Sequence, residues 1–322
     1  MHKVAIIGSG QLGSRHLQGI KTANIELSIE VVDSNIESLK VAENRYYEIA
    51  ANQYTKAIRF ISSIDDLSND LDIVIIATSS APRYIITKEL IEKKHVRNII
   101  FEKVLFQNED HFYEIYNMLN TFGINAWVNC PRRMYDFYNT IKNELNNVDK
   151  LIFTVSGGEW GLGCNSIHFI DIFSYLSNQT SYTLLTNGLN KKIYASKRSG
   201  YVEFCGILSG ISERGDIINL ISQENSSITP LISIVSQNKK FVIDETNGNM
   251  TFFKDNNWKT SIINVPYQSQ LTGKLIEDIL LNKNSGITKY EESMNLHLPF
   301  ITSLLDYYNS LTGENSKNCP IT

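Results

Sequence analysis

Three glycines, Gly8, Gly10 and Gly13, stand at G-x-G-x-x-G spacing between an apolar run over 4–7 and a helical pattern. A turn of this kind places phosphates on a helix N-terminus, where main-chain N–H groups and the helix dipole favour negative charge. Gly8 would permit the tight turn, Gly10 the approach of a pyrophosphate and Gly13 the close packing of helix on strand. Ser9, Gln11 and Leu12 complete that loop. A second apolar run, over 29–32, ends in Asp33, twenty residues beyond Gly13. A carboxylate there accepts the ribose hydroxyls of an adenosine and repels a 2′-phosphate. No Arg or Lys follows it in Ser34-Asn35-Ile36, so NAD is the expected cofactor and NADP is disfavoured.

Further chemistry-bearing residues lie downstream. Thr78, Ser79 and Ser80 follow the apolar run 72–77, at a strand C-terminal end where open α/β sheets bind ligands. The run near 97–101 leads into Glu102-Lys103. Lys103 there can hydrogen-bond a substrate hydroxyl and a ribose together, or the two residues can form a surface ion pair; the charge pattern leaves both open. A glycine-rich loop over 157–163 precedes His168, Asp171 and Tyr175, which recur at helical spacing. Asn165 and Ser166 are good N-caps for that helix, placing His168 in its first turn. There it can be a base for a bound substrate or a structural histidine.

The elements that must carry these residues alternate. Strands are expected near 3–8, 28–33, 57–61, 72–77, 97–101 and 124–128, and helices near 11–22, 35–50, 82–93 and 108–122. This pattern implies a parallel sheet with helices on both faces. Beyond it, a helix to about 146, a strand over 151–156 and strands near 200–209, 215–222, 230–236, 240–245, 249–253 and 258–264 imply a largely antiparallel sheet. Helices near 267–283 and 289–311 follow, then a polar, loose tail after Gly313. The expected fold class is α/β: an N-terminal Rossmann dinucleotide-binding domain over 1–128 and a C-terminal α+β domain over 129–322 with a large open, mostly antiparallel sheet.

Composition narrows the function classes. The 322 residues suit two domains. With 42% hydrophobic and 20% charged residues, a net charge of −4 and no basic block, a nucleic-acid partner is not expected. No stretch is long and apolar enough to span a bilayer, and Met1-His-Lys leads directly into a strand pattern, leaving no room for a signal peptide. Cys130, Cys164, Cys205 and Cys319 have no metal-ligand spacing. A cytoplasmic protein with reduced thiols and no metal is the expectation, and the sequons at Asn178, Asn225 and Asn249 then carry no meaning.

On these residues the chain resembles the glucose-fructose oxidoreductase / inositol dehydrogenase / rhizopine catabolism (Gfo/Idh/MocA) family. The matching positions are Gly8-Gly10-Gly13, Arg15-His16, Thr78, Glu102-Lys103, Arg132-Arg133 and His168 with Asp171, in family order over essentially the whole chain. Three departures stand out. Val104 replaces the proline after Glu-Lys. Arg83 falls where a histidine is usual; a guanidinium cannot act as a base but can grip a carboxylate or phosphate, or contact the cofactor or Glu102. Cys164 stands where the family often has the aspartate of D-x-x-x-H.

The resemblance implies reversible hydride transfer between nicotinamide and a secondary alcohol or ketone of a sugar-like small molecule. His168 would exchange the hydroxyl proton and Lys103 would hold the same oxygen. Arg83, Arg132, Arg133, Trp160 and Asn165 would contact the substrate. Trp160 can instead pack in a core or lid, and one arginine can form a helix-start salt bridge. The block 160–171 further resembles a subgroup of bacterial surface-polysaccharide pathways, implying an acidic or nucleotide-activated sugar. A homo-oligomer, dimer or tetramer, formed through a broad sheet face is also implied. Two alternatives remain open: tightly bound, internally recycled NAD in an epimerase or eliminase, and a non-catalytic dinucleotide-binding sensor.

Overall fold

The computed structural model describes residues 1–145, 150–282 and 285–322. Its first part runs β1 (His2–Ile7), α1 (Gln11–Ile20), β2 (Leu27–Val32), α2 (Ile36–Glu48), β3 (Thr55–Ile61), β4 (Asp70–Leu71), β5 (Ile73–Ile76), α3 (Ser80–Lys93), β6 (His95–Val96), β7 (Asn98–Phe101), α4 (Glu109–Phe122) and β8 (Asn125–Val128). The chain continues with α5 (Asp136–Glu144), β9 (Ile152–Gly158), α6 (Leu162–Ser177), β10 (Tyr182–Leu189), β11 (Tyr194–Ala195), β12 (Val202–Glu203), β13 (Gly206–Ser212) and β14 (Ile217–Gln223). It closes with β15 (Leu231–Val235), β16 (Lys240–Asp244), β17 (Asn249–Lys254), β18 (Asn257–Ile262), α7 (Gln268–Asn282), β19 (Thr288–Lys289) and α8 (Tyr290–Thr312).

The chain divides into two units. The first comprises Met1–Phe106, Asp110–Pro131 and Pro266–Glu291. Its seven-stranded sheet has the order β19-β8-β7-β5-β1-β2-β3, parallel except for the β19–β8 pair. Val4–Ile7 and Ile73–Ile76 are buried throughout, as strands covered on both faces must be. Sequence order reverses between β1 and β5, so the crevice for a ligand opens at their C-terminal ends. The single boundary expected at 128/129 does not describe this unit: α7 returns to pack on α1, and β19 adds an edge strand. An amphipathic helix carries no mark of which sheet it will cover.

The second unit comprises Gln107–Glu109, Arg132–Val265 and Glu292–Thr322. Its eight-stranded sheet has the order β10-β13-β14-β9-β15-β16-β17-β18, antiparallel except for β14–β9. Phe153, Val155, Leu208, Leu220 and Ile234 alternate into a buried face, against which α6 packs on β14. The opposite face leaves Ile152, Ile207, Ile211, Ile217 and Leu231 exposed.

Three expectations change here. The strand foreseen over 200–209 breaks at Gly206, whose φ is +104° and whose Cβ would meet the Gly188 carbonyl at 2.6 Å. Strand β10 carries a weak signal, because Thr186-Asn187-Gly188 interrupts its apolar residues. The tail beyond Gly313 is tied down: Cys319 donates its N–H to the Gln107 carbonyl at 2.8 Å, and Ile321 is buried. No described helix is long and apolar enough to cross a membrane.

Candidate functional site

In the first unit the predicted cofactor residues gather at the C-terminal edge of the sheet. Beyond β1, Gly8 takes φ +94°, a left-handed conformation, and a Cβ there would lie 2.8 Å from the Thr78 nitrogen. A Cβ on Gly13 would lie 1.8 Å from the Gly8 carbonyl oxygen, so only glycine lets α1 sit this close to the turn. A Cβ on Gly10 would point into open space. Gly10 is also the N-cap of α1 and offers no capping side chain, leaving first-turn N–H groups beside Gln11 and Leu12 to face a ligand.

Beyond β2, Oδ2 of Asp33 accepts the Ser9 N–H at 2.7 Å and the Ser9 hydroxyl at 3.1 Å, while Oδ1 accepts the Asn35 N–H at 2.9 Å. Two oxygens with about four acceptor sites retain capacity for ribose hydroxyls. Beyond β5, the Thr78 hydroxyl is buried without a hydrogen-bond partner among the described residues. Ser79 stands at the N-cap position of α3 without a side-chain capping bond, and Ser80 is buried in its first turn. The open cradle over Gly10, the helix N-terminus and the Thr78 hydroxyl fit a dinucleotide bound at this edge.

Beyond β7, Lys103 is half-buried and Glu102 is buried. Sequence reasoning left Glu102 and Lys103 open as a surface ion pair, but Glu102 faces inward. His16 Nε2 lies 2.8 Å from its Oε1, and Asn129 donates to the same oxygen at 2.5 Å. His16 Nδ1 lies 3.0 Å from the Thr272 hydroxyl, and Asn129 also donates to Gln268 at 2.9 Å. Burial pushes the Glu102 carboxyl up, but His16, Asn129 and the Lys103 charge together hold it below the usual carboxylate range. Asn129, Gln268 and Thr272 were missed as supports; the latter two lie on α7, which follows its partners by more than a hundred residues.

Arg83, which the sequence offers as a grip for a substrate anion or a contact to the cofactor or Glu102, turns inward to main-chain carbonyls. It is 1% exposed. Its guanidinium donates to the main-chain carbonyls of Val104 and Thr78, and to Leu105 at 2.9 Å. Buried carbonyls require donors, and this fork supplies three of them.

The second unit holds the remaining candidates. Helix α6 begins at Leu162, after Gly161 at φ +80°, four residues earlier than the N-cap expected at Asn165-Ser166. Its first N–H groups are met from elsewhere: Glu203 accepts from Gly163 at 2.6 Å and Cys164 at 3.2 Å. Burial raises the Glu203 carboxyl above its ordinary value despite these bonds. Glu203 thus brings a carboxylate to Cys164, where the family pattern has an aspartate in sequence; its position in β12 hid it. His168 follows one turn later and is half-buried. Asn165 donates to the Trp160 carbonyl at 2.7 Å, and Trp160 donates its indole N–H to Ile221 at 2.8 Å while meeting Phe169 edge-on. Both residues therefore build the loop before α6.

Arg132 and Arg133 are engaged with carboxylates. Arg132 bonds Glu245 through two nitrogens, at 2.9 and 2.6 Å, and lies over the Phe169 ring. Tyr138 donates to the same Glu245 at 2.8 Å. Arg133 bonds Asp171 at 2.9 Å and Glu292 at 2.8 Å. Burial lowers both guanidinium pKa values, but these carboxylates outweigh it and hold them above the ordinary value. Both arginines are thus held in ion pairs, the alternative the sequence left open for one of them.

Comparison with known proteins agrees with this architecture. Residues 2–129 match the family model described as "Oxidoreductase family, NAD-binding Rossmann fold". No curated protein sequence matches significantly. Among solved structures, UDP-N-acetylglucosamine 3-dehydrogenase from Acidithiobacillus ferrooxidans is 13% identical, with a TM-score of 0.71 over 97% of this chain and 100% of that one. A Gfo/Idh/MocA family oxidoreductase from Vibrio cholerae is 16% identical, with a TM-score of 0.70 over 97% and 100%. The transcriptional regulator Gal80p from Kluyveromyces lactis is 12% identical, with a TM-score of 0.70 over 96% and 92%. At these identities the likeness is one of fold. The match to that oxidoreductase family model covers residues 2–129, and along the rest of the chain the likeness to these proteins is one of fold.

Proposed function

We propose that this protein is an NAD-dependent oxidoreductase that moves a hydride between nicotinamide and a secondary alcohol or ketone of a sugar-like substrate. The observation that carries the reading is the first unit's parallel sheet, in which an open glycine turn, Asp33 and Lys103 follow the C-terminal ends of β1, β2 and β7. Bound NAD would supply the hydride acceptor. Gly8–Gly13 and Thr78 would hold its phosphates and Asp33 its adenosine ribose, which disfavours NADP. Lys103 would hold the reacting oxygen and offset its developing charge. His168 would take or return the hydroxyl proton, as an imidazole does near neutral pH. With Arg83, Arg132 and Arg133 engaged internally, a neutral sugar derivative is favoured over an acidic one. The exposed isoleucines of the second unit's sheet support association of copies of this chain through that face.

The test is a thermal-shift screen with NAD(H), NADP(H) and a panel of sugars and nucleotide sugars, read together with reduced-nicotinamide absorbance. A rise in melting temperature with NAD(H), plus a sugar-dependent absorbance change lost by 10²-fold or more in Lys103→Met and His168→Asn, is expected. Stabilisation without turnover favours the second reading, a dinucleotide-binding sensor. The fold likeness to the transcriptional regulator Gal80p favours that reading too. No response to either dinucleotide overturns both.

A further inference from the structure

We propose that Arg83 is a positioning residue that couples occupancy of the dinucleotide turn at Thr78 to the aim of Lys103. The inference rests on the dinucleotide reading above. Strands β5 and β7 are adjacent, with Ile76 paired to Phe101. The last main-chain bond between them is from the Glu102 N–H to the Ile76 carbonyl at 3.1 Å; Thr78 and Lys103 lie on the separate loops that follow. One guanidinium spans those loops. Its Nη2 bonds the Thr78 carbonyl, and its Nη1 bonds the carbonyls of Val104 and Leu105, directly after Lys103.

The anchor itself is rigid. Arg83 stands on α3 and is 1% exposed. Val104, Leu105 and Phe106 are fully buried, with Phe106 packed on Phe101 and Phe112. Thr78 lies against the Gly8 turn. A phosphate settling at that turn therefore presses on a loop whose carbonyl is tied, through one planar group, to the backbone bearing Lys103. All three acceptors are main-chain oxygens, so the tie between these two loops through the guanidinium depends on the side chain at position 83, beside the separate His16–Glu102 bond from α1. Lysine presents a compact ammonium without the planar fork and cannot reproduce the same three-way geometry.

Hydrogen–deuterium exchange of the full chain with and without NADH tests this, with Arg83→Lys and Arg83→Gln beside the wild type. In the wild type, NADH is expected to slow exchange by tenfold or more both in residues 8–14 and in residues 102–106. In Arg83→Lys, NADH is expected still to slow exchange in 8–14, with an affinity within about tenfold of wild type, while the response in 102–106 falls at least fivefold. Full NADH protection of 102–106 in a folded variant overturns the coupling. Should both variants fail to fold, the wild type still decides against it if NADH protects 8–14 and leaves 102–106 unchanged. Absence of NADH protection in 8–14 of the wild type is a different result, which overturns the dinucleotide reading itself.

Discussion

His16 on α1 and Glu102 at the end of β7 meet at 2.8 Å, both buried, one residue before Lys103. The folded carboxyl is held below its ordinary value of 4.5. Its contribution to stability is therefore present above that pH and is lost as pH falls through the lower folded value. Glu102→Gln is expected to cost about 1–3 kcal/mol near pH 7, and the gap to wild type should narrow as pH drops below 4.5. Denaturation at pH 7 and at acid pH measures it. A gap that stays constant would show that the carboxylate charge contributes nothing.

Gly13 and Gly10 should respond oppositely to one methyl group. In an ordinary helix Gly→Ala stabilises by about 1 kcal/mol. At Gly13 the new Cβ would meet the Gly8 carbonyl at 1.8 Å, so Gly13→Ala should instead destabilise by about 1–3 kcal/mol. Gly10→Ala should leave the melting temperature nearly unchanged while weakening NADH binding about tenfold, or ~1.4 kcal/mol. Calorimetry paired with NADH fluorescence titration separates the two effects.

Asp33→Asn removes the charge and keeps one acceptor oxygen, for either the Ser9 or the Asn35 N–H but not both. The preference for NAD over NADP, measured as a ratio of dissociation constants, should fall about tenfold or more (~1.4 kcal/mol). An unchanged ratio would mean that the carboxylate does not face the 2′ position.

Arg132→Gln should act on stability. It strips Glu245 of its two-nitrogen partner beside the buried Tyr138, and leaving such a carboxylate unpaired costs about 3–5 kcal/mol. Adding Glu245→Gln should recover part of that loss in chemical denaturation. A single variant with wild-type stability and weakened substrate binding would restore the substrate role expected from sequence.

The alternating strands and helices of the first unit, and the glycine turn with Asp33, were legible because they are local: hydrophobic period, turn residues and a fixed spacing carry them. So was the place of Lys103, just beyond the end of a strand of that sheet. Tertiary structure decided everything that joins distant segments. It returned α7 to the first unit, where Thr272 and Gln268 complete the His16–Glu102–Asn129 network. It brought Glu203 from β12 to the α6 N-terminus and turned Arg83 inward to three carbonyls. The physical reason is the same in each case. A charged side chain declares its chemistry in the sequence, but burial and the partner that burial demands are properties of the packed chain.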